Sequence, residues 1–156
     1  MKCRKKYFGI VGENMKLIIC LDNNNGVLFN GRRVSKDKNV VSDIQKMITG
    51  SNLICSQYSS ELFVDDITNN LIVSDKEISE LTDNGYYFVE NIMPSSSLKF
   101  EEVIIYKWNR EYPSDLKFEF DLKDYFEVNR LDFAGNSHER ITKIILRGAD
   151  KNGSNI

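Results

Sequence analysis

Apolar residues in this chain come in short bursts divided by polar turns. Residues 16–22 (KLIICLD) form a near-continuous apolar run, the pattern of a strand covered on both faces. Asp22, three Asn residues and Gly26 then make a turn, since Asx side chains bond their own backbone and Gly accepts positive φ. Residues 27–29 return briefly to extended structure. Val40, Val41, Ile44, Met47 and Ile48 fall on one helical stripe, which predicts a helix capped by Ser35 or Asp37 and ended by Gly50. Short buried strands are expected over 52–56, 70–74, 86–89 and 102–108, with an extended piece over 117–120. Residues 58–63 predict a turn of helix. Ser74 and Glu77 have the spacing of a capping box, opening a helix with Ile78 and Leu81 inward that Gly85 closes. Two readings stay open at the C-terminal end. Asn136-Ser-His-Glu139 has the composition of a helix start, whereas 143–146 reads as a strand.

Strands alternating with short helices predict an α/β fold with a mostly parallel central sheet and short flanking helices. Right-handed crossovers would bring the strand ends at Asp22, Ser56 and Glu90 to one edge, where ligands of such sheets sit. A single domain is expected over 15–148, with 149–156 as a flexible tail. Gly12-Glu13-Asn14 before Met15 can be encoded as a purine-rich ribosome-binding sequence ahead of a start codon. That points to a bacterial gene translated from Met15, with 1–14 as an over-long extension; the other reading of 1–14 is a short basic arm.

Bulk composition narrows the classes. At 156 residues the chain can bury a core without disulfides or metals. A net charge of -2 gives no strong nucleic-acid signal, and no apolar run is long enough to span a membrane. Cys20 and Cys55 lie in apolar runs and read as buried reduced thiols, which with Cys3 suits a cytoplasmic protein. No Cys pair has zinc-ligand spacing and His138 is the sole histidine, so no metal site is expected.

Four groups of residues can carry chemistry. Arg32, Arg33, Ser35 and Lys36 can grip an anion ahead of the helix, with Asp37 as an acid or base at the rim. The alternative for this segment is a solvated loop with a capping residue. Tyr106, Lys107 and Trp108 can stack on a flat ring, or lie in the core with a solvated cation opposite. His138 can act as an acid or base beside Glu139, or be an exposed residue of a helix cap. Glu90 can form an acid pair with Asp37 or bind a divalent ion with it, or be an ordinary turn residue.

The order of elements resembles dihydrofolate reductase. The opening strand, Gly-bearing loop, acid at the head of the first helix, next strand and short helix of that family look like KLIICLD, NNNGVLFNG, SKD, NVVSDIQKMI, NLICS and QYSSELF. Its C-terminal half looks like EEVIIYKW, Asp115-Leu-Lys-Phe118, DYFEV and ITKIILR. The resemblance implies a shortened fold of that type, with Asp37 in the place of the family's acid. The tryptophan that usually precedes that acid is missing. Val89-Glu90-Asn91 stands where the family has its cofactor-binding Gly-Gly, and the middle section between Asn70 and Val89 is abridged. Reductase activity is therefore expected to be lost or altered, and no cofactor is assigned. Residues 106–113 and 133–142 also resemble short bacterial proteins, some labelled ribonuclease Z. That label implies a two-metal histidine cluster, which one histidine cannot supply.

The expected function is binding of a small anionic, ring-containing molecule of nucleotide or pterin type. Asp22, Arg32, Arg33, Ser35 and Glu90 are the expected ligand contacts, with Asp37 and His138 as catalytic groups. The alternatives are a hydrolase or nuclease, and a non-catalytic interaction protein.

Overall fold

The computed structural model describes residues 15–66, 68–81 and 83–149. The start-site reading of 1–14 and the tail reading beyond Ala149 lie outside the described residues. The chain opens with β1 (Met15–Leu21), followed by β2 (Gly26–Phe29) and the short β3 (Arg32–Arg33). Helix α1 (Lys38–Met47) leads to β4 (Asn52–Cys55) and to α2 (Gln57–Ser60), which runs into a tight turn over Glu61–Phe63. Next come β5 (Asn70–Val73), β6 (Gly85–Phe88), β7 (Glu102–Lys107) and β8 (Leu116–Lys117). A long hairpin of β9 (Tyr125–Phe133) and β10 (Ile141–Gly148) ends the fold.

Seven strands form the central sheet in the order β5-β4-β6-β1-β7-β10-β9. The first five are mutually parallel, and β10 runs antiparallel to both β7 and β9. The α/β reading thus holds, with a mostly parallel sheet. Period-two alternation splits β1 between two cores. Ile18 joins Phe88, Ile104, Tyr106 and Trp108 under Val40 and Ile44 of α1 and Ile48, its C-cap. Leu17, Ile19 and Leu21 join Tyr87, Val103 and Ile105 under Phe100, Phe118 and Phe120 on the other face. Tyr106 and Trp108 therefore belong to the core. Cys55 is buried, and burial pushes its thiol up to about 12; Cys20 is half-buried. No helix among the described residues is long and apolar enough to cross a membrane.

One open reading is decided and two local expectations are corrected. Residues 141–148 are strand, the second of the two readings, because their apolar positions pair with β7 and continue the sheet. The Ser74–Glu77 capping box does not form: Ser74 Oγ accepts from the N–H of Lys76, and only one tight turn, Ile78–Glu80, follows. Gly85 opens β6 instead of closing a helix. Its φ of +141° and its approach to Asn52, whose carbonyl oxygen would stand 2.7 Å from an added Cβ, exclude a side chain there.

Asp22 has a structural task that its position at a strand end conceals. It is fully buried. Its Oδ1 accepts from the N–H groups of Asn24 and Gly26 at 2.8 and 2.6 Å, and its Oδ2 accepts from Tyr112 N–H at 2.9 Å. Burial opposes ionisation, but these backbone donors outweigh it and hold the carboxyl below its ordinary value. Asp22 thus pins the β1–β2 turn to the segment after β7. Its oxygens are engaged away from any ligand, so we leave it out of the proposed site.

Replacing Asp22 by Ala strands three backbone donors. We expect a loss of about 2–4 kcal/mol in urea unfolding at neutral pH. A loss below about 1 kcal/mol would show that water replaces the carboxylate readily.

Candidate functional site

The parallel strands β4, β6 and β1 end on one edge, and the segment from β3 to α1 runs beside it. Alternation along β3 turns Arg32 and Arg33 in opposite directions. Arg32 is exposed, while Arg33 reaches across to β6. Its Nε and Nη2 donate to the two oxygens of Glu90 at 2.9 and 3.0 Å, and its Nη1 donates to Glu61 at 2.9 Å. The guanidinium also lies 4.4 Å from the centre of the Tyr58 ring. Desolvation opposes the charge on Arg33, but the two carboxylates and the ring raise its pKa further above its already high ordinary value. Glu90 Oε1 accepts from Ser59 Oγ at 2.7 Å, and Ser56 Oγ donates to Asn91 at 2.7 Å. Paired in this way, Glu90 is only 7% exposed.

Four positions after Arg33, Asp37 is the N-cap of α1. Its Oδ1 accepts from Asn39 N–H at 2.8 Å, closing the first turn of the helix. The loop before β10 wraps the rest of the carboxylate. The N–H groups of Asn136 and Ser137 donate to it at 2.8 Å, and Ser137 Oγ stands at 3.2 Å. This wrap requires glycine at 135, where an added Cβ would stand 2.7 Å from Asp37 Oδ2. The residues expected to open a helix at 136–139 therefore cap the carboxylate of another one.

His138 completes the cluster. Its Nδ1 lies 2.9 Å from Asp37 Oδ2, and its Nε2 lies 2.9 Å from Ser35 Oγ and 3.1 Å from the Tyr112 hydroxyl. Burial works against the charge on Asp37. The Asn136 N–H, the imidazole and the N–H groups of Ser137 and Asn39 outweigh it, holding the carboxyl well below the usual carboxylate range. An ionised Asp37 can only accept, so Nδ1–H donates to it and Nε2 is left as an acceptor for the Ser35 hydroxyl. The ring stacks on Trp108 at 4.7 Å and 21°. The side chains of His138 and Asp37 are 2% and 0% exposed. Ser35 is only half-buried.

Between α1 and the Glu61–Phe63 turn runs a groove of about 640 Å³. Lys36, Lys38 and Val41 line one wall, and Glu61, Leu62 and Asp65 line the other. Inward of it lies a narrow apolar cleft that shares Lys36, Asp37, Val41 and Leu62 and is floored by Cys20, Phe88 and Trp108. Ser35 and Glu90 border that inner cleft. Asp37 and Glu90 both reach the cleft but are engaged with separate partners, so they do not form an acid pair. A second, shallow depression follows the ends of β4 and β6, lined by Ser56, Ser74, Lys76 and Asn91.

Of the residues singled out in the sequence, Ser35, Asp37 and His138 converge, and Arg33 and Glu90 converge beside them. Asp22 and Arg32 join neither group. Tyr112 went unrecognised; its signal was weak, one tyrosine in a polar stretch before Pro113.

Asp37 gives a pH signature. Its folded pKa is depressed, so its stabilising effect is present above the unfolded carboxylate value of about 4 and fades as pH falls through the folded pKa. We expect Asp37→Asn to destabilise by about 3 kcal/mol at pH 7 in urea unfolding, with the gap to the native protein narrowing below pH of about 4. A gap that does not change with pH would contradict an ionised Asp37.

No family model and no curated protein matches this sequence. The fold itself has a solved counterpart. Dihydrofolate reductase from Enterococcus faecalis, complexed with NADP(H) and RAB-propyl, superposes with a TM-score of 0.60 at 12% identity. The match covers 89% of this chain and 99% of that one. The chain therefore has a dihydrofolate reductase-like fold in a highly diverged sequence.

Proposed function

We propose that this protein binds a small, flat, anion-bearing molecule of nucleotide or pterin type in the groove between α1 and the Glu61–Phe63 turn, without reductase catalysis. The observation that carries this reading is the groove itself. Its volume of about 640 Å³ falls in the range of small-molecule sites, and its inner end is apolar. The α1 wall supplies Lys36 and Lys38 for an anion, and Val41 and Leu62 give surface to a ring. Glu61 and Asp65 line the opposite wall, so the anionic end belongs on the α1 side. Ser35 and Glu90 stand at the inner end.

Two features argue against the counterpart's chemistry. Asp37 spends its carboxylate on the helix cap and the 136–138 loop, so it is not free to relay a proton into the groove. The end of β6 does not suit a dinucleotide's pyrophosphate. Glu90 occupies it, and the one cation in contact, Arg33, is already bound by two carboxylates.

Thermal-shift titration with nucleoside phosphates, folates and pterins tests the reading. A ligand at about a hundred times its Kd adds about 2.7 kcal/mol of stability, a shift of several degrees for this size. Replacing Lys36 and Lys38 together by Glu should weaken binding about tenfold while the melting temperature of the free protein stays within about 2 °C. No shift with any member of the panel would remove the ligand reading. Oxidation of NADPH in the presence of dihydrofolate would remove the view that reductase activity is lost.

A further inference from the structure

We propose that Ser35, His138 and Asp37 form a nucleophile, base and positioning group, and that the protein hydrolyses a small ester or thioester whose acyl group is no larger than acetyl. This goes beyond equilibrium binding and stands on a separate set of contacts.

The distances form a continuous relay. Ser35 Oγ lies 2.9 Å from His138 Nε2, and His138 Nδ1 lies 2.9 Å from Asp37 Oδ2. Such a constellation is recognised by geometry and roles, not by chain order, and here the order is Ser, Asp, His. Capping α1 needs only Asp37 and the backbone around it. It does not require the far nitrogen of the imidazole to face a serine. The arrangement also separates access correctly. His138 and Asp37 are sealed under Trp108 and the 134–140 loop, which fixes the ring and keeps water off it. Ser35 is half-buried and borders the inner cleft. The Tyr112 hydroxyl lies 3.3 Å from Ser35 Oγ and can donate there. By rotating its O–H it can follow negative charge onto a substrate oxygen.

The cleft beside Ser35 sets the substrate class. Its walls are Cys20, Val41, Ile44, Leu62, Phe88 and Trp108, and its free volume is about 10 Å³, the room of one water, so the acyl group must be small and sit at the mouth of the cleft. The outer groove takes the alcohol or thiol part.

The chemistry balances with water as the second reactant. Ser35 Oγ attacks the acyl carbon as its proton passes to Nε2. The tetrahedral intermediate expels the alcohol or thiol, which takes that proton. Water then attacks the acyl-serine, giving its proton to Nε2. Collapse releases the carboxylic acid, and the proton returns to Ser35 Oγ. Nδ1–H stays bonded to Asp37 throughout, and Asp37 itself gains no proton.

The test is covalent, so it reads differently from the binding experiment. The full chain is treated with a fluorophosphonate, the adduct is mapped by peptide mass spectrometry, and release of p-nitrophenol from acetate, butyrate and octanoate esters is followed. We expect one adduct, on Ser35, and ester turnover at least about 100-fold above that of Ser35→Ala. Acetate should be favoured over butyrate and octanoate. Tyr112→Phe should lower turnover about tenfold, and Asp37→Asn should lower both labelling and turnover at least about 100-fold, with no adduct at another residue. Ser35→Ala leaves the Asp37–His138 contact intact, so it remains informative if His138→Gln fails to fold. Folded native protein that forms no adduct, an adduct elsewhere, or unchanged turnover in Ser35→Ala would each overturn the proposal. If His138→Gln folds and is labelled at the native rate, the relay is overturned as well.

Discussion

The carboxylate of Asp37 is the contact on which the rest of this structure turns. A buried charge is costly unless donors surround it, and here they come from two remote parts of the chain. Asn39 belongs to the helix that Asp37 caps, while Asn136, Ser137 and His138 lie about a hundred residues further on. The carboxylate therefore fixes the start of α1 and also the approach to β10. It fixes the imidazole too, since Nδ1 reaches the carboxylate at 2.9 Å, closer than the Ser137 hydroxyl at 3.3 Å. With the ring held against Trp108, Nε2 has no choice but to face Ser35 and Tyr112.

The sheet was legible in the sequence because each strand reports its own environment. Residues 16–22 are apolar at nearly every position, as a strand with a core on each face must be. The stripe from Val40 to Ile48 likewise announced which side of α1 would be buried, and the element order gave the dihydrofolate reductase-like fold. The C-terminal strand was harder to read. Ile141, Ile144 and Ile145 fit helical spacing, and only their pairing with β7, a non-local fact, decides for strand.

The site was half legible for the same reason. Asp37 and His138 were singled out separately, and Ser35 was assigned to an anion. What brought them together is a loop closure across the domain, which no local pattern encodes. The usable hints were indirect. Ser35 and Asp37 are two apart in an extended stretch, and Gly135 precedes a run of Asn, Ser and His that can wrap an anion. Asp22 shows the same limit from the other side. Its place at a strand end is where ligand groups sit in such sheets, and its oxygens accept from the backbone of the Asn and Gly turn beside it.

The two buried carboxylates at the cleft are stabilised by different means, and this difference shapes what the cleft can do. Glu90 is balanced by a full positive charge on Arg33, so that pair adds little net field. Asp37 is held by neutral donors, so its charge persists and acts through the imidazole. At the mouth, Lys36 and Lys38 are exposed to solvent, whereas Arg33 is turned inward and engaged. On the proposed reading, an incoming anion meets the exposed cations on the α1 side first and the Asp37 carboxylate only behind His138. That separation would let one cleft take a negatively charged group at its rim and still keep, a few residues inward, an imidazole facing a serine.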